Sequence, residues 1–189
     1  MLWDKDTVMA GEPQAAHPLR VLKGHAQNVA GLAWSDPEVL YSASWDHTVR
    51  RWDLETGACV QSLTKSNALY TVAANRDLVL CGGSDWVVRV WDVRAKPSDG
   101  RAAELKFFAG HKGWIGQVAW CPEREHVFAS ASHDGTVRLW DMRGSGPLHT
   151  VEAHDGKALC LAWLSGGLLA SGGTDSQLAL TATDLEKEP

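Results

Sequence analysis

The chain has 189 residues, of which 44% are hydrophobic, and it carries a formal net charge of −5. This composition is typical of a globular protein and excludes a disordered chain, and the charge excludes an overall basic field that would attract nucleic acid or membranes. Ten tryptophans, against three phenylalanines and two tyrosines, indicate that tryptophan has a repeated structural use. No apolar run approaches the ~20 residues that a membrane-spanning helix needs.

The pair Trp-Asp recurs along the chain at Trp3, Trp52, Trp91 and Trp140. The most complete copy, residues 110–141, starts with Gly-His, continues through a strand hairpin turned by Asp134-Gly135, and closes on Trp-Asp. A Gly-His to Trp-Asp unit that repeats every ~40–45 residues with four strands is the signature of a WD-repeat propeller blade. The sequence therefore predicts an all-β WD40 propeller.

In chain order, residues 1–18 are predicted to be the end of a preceding blade plus a loop, and residues 19–185 to hold the repeats. A short strand is expected at Leu19–Leu22, and a charged tail at 186–189. The blades are predicted at about 28–63, 68–109, 115–152 and 157–182. Their strands are expected at Val29–Trp34, Val39–Ser44, Thr48–Asp53 and Ala58–Leu63, then Leu69–Ala74, Leu78–Gly83, Val87–Asp92 and Glu104–Phe108, then Ile115–Trp120, His126–Ser132, Thr136–Asp141 and Leu148–Glu152, and finally Leu159–Trp163, Leu168–Gly173 and Gln177–Thr181.

About four blades are thus present, and WD blades normally have the wedge shape of a seven-membered ring. We therefore expect a partial propeller, an open arc of such a ring, with a bare apolar face at each end.

In WD repeats generally, the turn aspartate, the Gly-His histidine, a strand-two Ser or Thr and the strand-three tryptophan form a hydrogen-bonded chain inside a blade. In the first blade either Ser42 or Ser44 could supply the hydroxyl, and in the third either Ser130 or Ser132. The second blade has no histidine and the fourth has Thr181 where tryptophan is expected, so these two networks are predicted to be incomplete. By resemblance to this pattern, the residues assigned to the networks are His25, Ser42, Ser44, Asp46, Trp52, Asp85, Trp91, His111, Ser130, Ser132, Asp134, Trp140, His154 and Asp175.

Ser, His and Asp in one network could also be a catalytic triad. The set recurs together with a tryptophan, however, which favours a structural role, and the chain has no G-x-S-x-G, P-loop or H-E-x-x-H motif. We therefore predict a protein that is not an enzyme and has no cofactor or metal site. The four cysteines, Cys59, Cys81, Cys121 and Cys160, form no C-x-x-C pair and are expected to be buried, reduced thiols of an intracellular protein.

The tryptophans fall into recurring and non-recurring sets. Ala-Trp recurs at Trp34, Trp120 and Trp163, near the ends of first strands, which favours packing between blades. Trp45, Trp86 and Trp114 do not recur and lie near loops at the rim. With His133 and Thr174 they are candidate partner-binding residues, the alternative being that these loops pack on a neighbouring blade.

Several segments resemble one particular family. They are residues 44–57, residues 110–122 and residues 147–175, and the missing second Gly-His and the lost final Trp-Asp also fit. On these residues the chain is similar to the C-terminal half of the WD-repeat ribosome-biogenesis family of the PeBoW complex. The resemblance covers about Leu19 to Leu180.

The resemblance implies a non-catalytic scaffold of large (60S) ribosomal subunit biogenesis and rRNA maturation, in the nucleolus and nucleoplasm. Implied partners are pescadillo-like and block-of-proliferation-like proteins and the pre-60S particle. In the family a ubiquitin-like domain engages the ATPase midasin, and the 189 residues do not contain that domain, so midasin binding is not expected of them.

Two further interpretations stay open at this point. Trp-Asp-x-Arg, ending at Arg94 and Arg143, recurs in substrate receptors of cullin-type ubiquitin ligases, although an arginine in a solvated turn explains it as well. Arginines could also form a basic strip that contacts rRNA phosphate, although an ordinary strand face is the default at this net charge. The strip would comprise Arg50, Arg51, Arg89, Arg94, Arg101, Arg138 and Arg143.

Overall fold

The computed structural model describes residues 2–3, 18–95 and 104–183, which form seventeen strands and no helix. β1 (Leu2–Trp3) pairs with β2 (Pro18–Arg20). Sheet 1 contains β3 (Val29–Asp36), β4 (Val39–Ser44), β5 (Thr48–Asp53) and β6 (Cys59–Thr64). Sheet 2 contains β7 (Leu69–Asn75), β8 (Leu78–Gly83), β9 (Val88–Asp92) and β10 (Glu104–Phe108). Sheet 3 contains β11 (Ile115–Trp120), β12 (Val127–Ser132), β13 (Thr136–Asp141) and β14 (Pro147–Glu152), and sheet 4 contains β15 (Ala158–Leu164), β16 (Leu168–Gly173) and β17 (Leu178–Ala182).

Each sheet is an antiparallel meander, and the predicted all-β WD40 fold is confirmed. Strand ends differ from the prediction by at most two residues. The Asp134-Gly135 hairpin shows why glycine is needed there. Gly135 has φ 85°, and a Cβ at this position would lie 2.7 Å from the His154 carbonyl oxygen. The preceding-blade loop (4–17) and the tail (186–189) lie outside the described residues.

Apolar side chains fill the space between successive sheets, because alternate residues of each strand point to opposite faces. Tyr41 and Trp91 belong to the cluster between sheets 1 and 2, Phe128 and Trp140 to the cluster between sheets 2 and 3. Leu139 is in the cluster between sheets 3 and 4. Sheets 2 and 3 are therefore buried on both faces, as blades of a propeller are.

The recurring tryptophans join neighbouring sheets. Trp120 Nε1 donates to the Ala73 carbonyl at 3.3 Å, and Trp163 Nε1 donates to the Ala119 carbonyl at 3.2 Å. Trp34 has the corresponding place in sheet 1 but is 50% exposed, and at the other end Leu178 is 72% exposed. No described sheet packs on the outer faces of sheets 1 and 4, although the segment before β3 covers Leu40 and Trp52 on sheet 1, and this agrees with the predicted partial propeller.

The cysteine prediction is wrong for two of the four residues. Cys81 and Cys121 are buried, but Cys59 and Cys160 are exposed. Cys59 begins β6, which is the edge strand of sheet 1 and has a sheet neighbour on one side only. Cys160 lies on β15, outside the cluster that packs against sheet 3. Within the described ranges, no helix has the length and apolar character to cross a membrane.

Candidate functional site: an aromatic surface on a hydrogen-bonded frame

Sheets 1 and 3 each contain a histidine between an aspartate and a serine. In sheet 3, His111 Nδ1 lies 3.0 Å from Asp134 Oδ2, and His111 Nε2 lies 2.7 Å from Ser130 Oγ. Trp140 Nε1 donates to the same serine oxygen at 2.8 Å. In sheet 1, His25, Asp46, Ser42 and Trp52 have the same arrangement, and Trp52 Nε1 donates to Ser42 Oγ at 2.8 Å.

One set of proton positions satisfies this whole chain. The Ser130 hydroxyl donates to His111 Nε2, and His111 Nδ1–H donates to the Asp134 carboxylate. Burial lowers the pKa of His111 against the raising effect of Asp134, which keeps the imidazole neutral, as this arrangement requires. Ser132 serves elsewhere, since its hydroxyl donates to the Gly113 carbonyl at 3.0 Å.

Two further predicted residues of the networks, Ser44 and His154, also have defined partners. Ser44 Oγ donates to the Gln27 carbonyl at 3.3 Å and accepts from Asp46 N, so it braces the turn beside Ser42. In sheet 4, His154 Nδ1 lies 3.1 Å from Asp175, and its Nε2 lies 2.9 Å from Ser171 Oγ. This network stops at the serine, because residue 181 is a threonine.

In sheet 2, ion pairs between side chains take the place of the histidine-containing chain of hydrogen bonds. Lys65 N donates to the His47 carbonyl just as His154 N donates to the Gly135 carbonyl, so Lys65 stands in the histidine position. Its ammonium pairs with Glu104. Arg89 lies 3.2 Å from the same carboxylate and 2.6 Å from Asp85, the turn aspartate. Trp91 is fully buried, and its Nε1 has no hydrogen-bond partner among the described residues.

The Ser–His–Asp sets lack the access that a nucleophile needs. Ser130 is fully buried, and its oxygen is occupied by both the tryptophan donor and the histidine. Ser171, which has no tryptophan donor, is 4% exposed. In sheets 1, 3 and 4 the sets therefore have a structural role: they tie the turn between the second and third strands to the segment before the first strand.

Six of the seven arginines of the predicted basic strip lie within the described residues, where most of them have local contacts and the buried Nε atoms of Arg51 and Arg138 have no hydrogen-bond partner. Arg89 is held by two carboxylates, and Arg94 and Arg143 each fold back onto the aspartate of their own Trp-Asp pair, at 2.8 and 2.6 Å. Arg50 lies over the Trp52 ring, 5.9 Å from its centroid. Arg138 packs on Gly110, and Arg101 lies outside the described residues. The Trp-Asp-x-Arg arginines are thus engaged locally, as an arginine in a strand-end turn is expected to be.

Aromatic rings that are exposed or half-buried form a continuous row along one edge of sheets 1, 2 and 3. The Trp45 and Tyr70 rings are 6.1 Å apart, the Tyr70 and Trp114 rings 5.6 Å, and the Trp114 and His133 rings 5.6 Å. Trp86 lines a shallow cleft together with Trp114 and His133. We call Trp45, Tyr70, Trp86, Trp114 and His133 the aromatic surface.

The three tryptophans of the aromatic surface are exposed by 44% to 48%. The Trp45 and Trp114 rings contact neighbouring aromatic rings, and all three tryptophans also remain open to solvent, so partner binding by these residues stays a prediction. Tyr70 was missed by sequence reasoning, although its place directly after the buried Leu69 indicates the opposite, outward direction. The Thr174 hydroxyl accepts from Lys157 N at 2.9 Å and so braces a loop.

The aromatic surface is basic at its third-sheet end. Lys112 and Lys157 line the cleft with Trp86 and Trp114, and both lysines are exposed. Burial, followed by the charge of Lys157, lowers the pKa of His133. The imidazole is therefore neutral near pH 7 and offers an aromatic face to the cleft. No group of three or more His, Cys, Asp or Glu side chains within the described parts of the chain could hold a metal ion.

A propeller arc of this kind, with a polar frame in each blade, defines a WD-repeat protein. The profile of the family described as "WD domain, G-beta repeat" matches residues 16–53, 57–92, 103–141 and 145–180. The chain therefore belongs to the WD-repeat family.

Among the curated proteins it is similar to the "Ribosome biogenesis protein WDR12 homolog" of Chlamydomonas reinhardtii, with 42% identity over 86% of this chain and 38% of the relative. The protein of the same name from Oryza sativa subsp. japonica is 41% identical over 84% of this chain and 36% of the relative. "Ribosome biogenesis protein YTM1" of Meyerozyma guilliermondii is 36% identical over 85% of this chain and 36% of the relative.

The chain thus spans less than two fifths of the length of these three relatives. Among solved structures, the computationally designed Ika4 protein superimposes with a TM-score of 0.73 over 86% of this chain and 95% of that chain. The two share 23% sequence identity, so this likeness concerns the fold alone.

Proposed function

We propose that the chain is a non-catalytic scaffold in the biogenesis of the large ribosomal subunit and that it binds protein partners through the aromatic surface. The observation that carries the proposal is its similarity, at 42% identity over 86% of the chain, to proteins named for ribosome biogenesis. The proposed partners are pescadillo-like and block-of-proliferation-like proteins within pre-60S particles. The proposed place of action is the nucleolus and nucleoplasm.

The geometry supports a scaffold in two respects. Each of the three complete sheets has its turn tied to the preceding loop, by a hydrogen-bonded chain in sheets 1 and 3 and by ion pairs in sheet 2, so the loops are held in fixed positions. Fixed loops present Trp45, Trp86 and Trp114 half-exposed in the solvent. Tryptophan and tyrosine are enriched among the residues that dominate protein–protein binding energy, and a rigid platform limits the entropy lost on binding.

The test is sedimentation of the tagged chain, expressed in eukaryotic cells, on sucrose gradients. We expect it in fractions that contain 60S precursors, and we expect the Trp45→Ala/Trp114→Ala variant to leave those fractions. Phe107→Ala is the matched control, since Phe107 is 62% exposed on β10 and lies outside the aromatic surface. Absence of the unmodified chain from all precursor fractions contradicts the proposal.

A further inference from the structure

The cleft at the basic end of the aromatic surface is built from loops of three sheets. Trp86 comes from the turn between β8 and β9, and Lys112 and Trp114 from the segment before β11. His133 comes from the turn between β12 and β13, and Lys157 from the segment before β15. The cleft has a volume of about 280 Å³, enough for one or two side chains but not for a folded element.

Trp86 occupies a backbone conformation that does not favour it. Its φ is 67°, in the left-handed region that the corresponding turn residues of the other sheets also occupy: His47 with φ 72°, Gly135 with φ 85° and Ser176 with φ 64°. L-residues with a bulky side chain are rare in this region, because their Cβ crowds the backbone. Burial does not compensate, since Trp86 remains 48% exposed. The shared turn geometry accounts for this conformation, and in sheet 2 it carries a half-exposed indole that lines the cleft together with Trp114. Two half-exposed indoles at one cleft are typical of groups whose contacts a ligand completes.

The charges around the cleft favour an anion. Lys112 and Lys157 are exposed at its rim, while the Asp134 and Asp175 carboxylates of the neighbouring turns point to their histidines and backbone N–H groups. Asp155 is the exposed carboxylate of the adjoining loop. Three aromatic faces together with two ammonium groups match an acidic side chain that stands beside an apolar one.

We propose that this cleft docks a short extended acidic segment of a partner protein, with one apolar side chain between Trp86 and Trp114 and an Asp or Glu carboxylate on Lys112 and Lys157. The inference rests on the proposed function of the aromatic surface as a docking site, and it names the partner's chemistry. Two lysines suffice for one or two carboxylates, whereas nucleic acid is held by many phosphate contacts. Arg89 and Arg94 are already paired with carboxylates, and the chain as a whole is negative.

A random displayed library of 12-residue peptides tests this directly on the purified chain. We expect the selected peptides to combine Asp or Glu with a neighbouring Leu, Phe, Trp or Tyr. The Lys112→Glu/Lys157→Glu variant should reject these peptides and select Lys or Arg in their place, since the charge of the rim is reversed. Selection of neutral or basic peptides by the unmodified chain, or no selection at all, overturns the proposal.

Trp86→Gly separates binding from folding. Glycine suits the left-handed backbone, so this variant should melt at the same temperature as the unmodified chain or higher. Its affinity for a selected peptide should nevertheless fall at least about tenfold, as for a hot-spot aromatic. Trp34→Ala, which removes an equally exposed indole from the outer face of sheet 1, should leave peptide affinity unchanged. Unchanged affinity in Trp86→Gly contradicts the proposal.

A fluorescent single-stranded 12-nucleotide RNA of random sequence is the competing probe. RNA that binds the unmodified chain more tightly than the selected peptide, and is lost in Trp86→Gly, shows that the cleft is a nucleic-acid site and overturns the proposal. The two proposals fail separately. A chain that selects acidic peptides but is absent from 60S precursors refutes the ribosomal function and leaves the cleft chemistry standing, and the reverse result refutes only the acidic segment.

Discussion

Sheets 2 and 3 each bury a tryptophan at the equivalent position of the third strand, but the polar contacts of the two indoles differ. Trp140 donates from Nε1 to Ser130 Oγ at 2.8 Å, and Ser130 continues through His111 to Asp134. Trp91 is equally buried, but Cys81 stands ten residues before it, where Ser130 stands ten residues before Trp140, and its Nε1 has no partner among the described residues.

Both sheets nevertheless tie the same two segments together. In sheet 3 the link from the segment before β11 to the turn after β12 is a neutral histidine on a carboxylate. In sheet 2 the link from Lys65 to Asp85 runs through Glu104 and Arg89. The comparison teaches that the blade requires the link and tolerates a change of chemistry. The two kinds of link should differ in their response to pH, salt and substitution, because buried hydrogen bonds are screened far less than partly exposed ion pairs.

Lowering the pH should have the largest effect on the free energy of unfolding, and it should act on the histidine-containing sheets. Burial alone would raise the pKa of Asp46 and Asp134, but hydrogen bonds from Thr48, Ala26 and His25 lower the first well below its usual range. Those from Lys112, Thr136 and His111 do the same for Asp134.

These carboxylates stabilise the fold above the unfolded-chain pKa of about 4, and that stability is lost as the pH falls below it, on the order of 2 kcal/mol for each group. The lowered pKa of His111 adds a smaller loss that begins below about pH 6.5. Urea unfolding as a function of pH measures both steps. Asp134→Asn should flatten the acid step, while Glu55→Gln, which removes an exposed carboxylate, should not. An acid step of the same size in Asp134→Asn contradicts this assignment.

Removing the residue at the histidine position of each link should have the next largest effect. His111→Ala leaves the Asp134 carboxylate and the Ser130 hydroxyl without their partner in a buried place, which should cost about 3 kcal/mol of unfolding free energy. Lys65→Ala should cost about 1 kcal/mol or less, because Arg89 still neutralises Glu104 and the pair is partly exposed. Urea unfolding at pH 7 measures the two losses. Equal losses would show that the two links do not differ as argued.

Salt should distinguish the two links by a smaller difference in coupling energy. A double-mutant cycle of Arg89→Ala and Glu104→Ala should give a coupling energy of about 1–2 kcal/mol at low salt. The coupling should shrink in about 1 M salt, where the screening length is roughly 3 Å and these side chains are 17% and 26% exposed. The corresponding cycle of His111→Ala and Ser130→Ala should be insensitive to salt. A salt-independent coupling in sheet 2 would mean that its link is not electrostatic.

The repeat spacing was enough to predict the all-β propeller and its strand ends, because alternation and turn residues act locally. It also predicted which sheets contain a histidine. It placed Lys65–Asn67 where the Gly-His of sheet 2 is missing, but it did not reveal that the Lys65 ammonium replaces the histidine by an ion pair. Nor did it predict that Glu104, distant in sequence, completes the ion network.

The candidate site was predicted in part for a similar reason. Trp45, Trp86 and Trp114 stand out from the sequence because they break the repeat. Alternation along β7 indicates that Tyr70 points outward, but not that its ring contacts Trp45 of sheet 1 and Trp114 of sheet 3. The exposed position of Cys160 depends in the same way on which faces of sheet 4 are covered, and an apolar run in the sequence does not encode that.

The smallest expected effect comes from giving Trp91 Nε1 of sheet 2 a hydrogen-bond acceptor. Cys81→Ser places a hydroxyl ten residues before Trp91, the spacing at which Ser42 and Ser130 accept from their tryptophans. The new bond should add about 1 kcal/mol, but the serine proton finds no histidine acceptor, so the net gain should be roughly 0.5 kcal/mol. Differential scanning calorimetry should show a rise of about 2 °C in Tm.

Cys121→Ser is the control for that variant, because Cys121 is 3% exposed and stands at no network position. It should destabilise the fold by about 1 kcal/mol, since it buries a hydroxyl that gains no partner. Burial raises the pKa of Cys81 to about 12, so the thiol that is replaced is neutral and the change adds no charge term. A fall in Tm in both variants would contradict the prediction. It would show that a hydroxyl at position 81 does not stabilise sheet 2 by accepting a hydrogen bond from Trp91 Nε1.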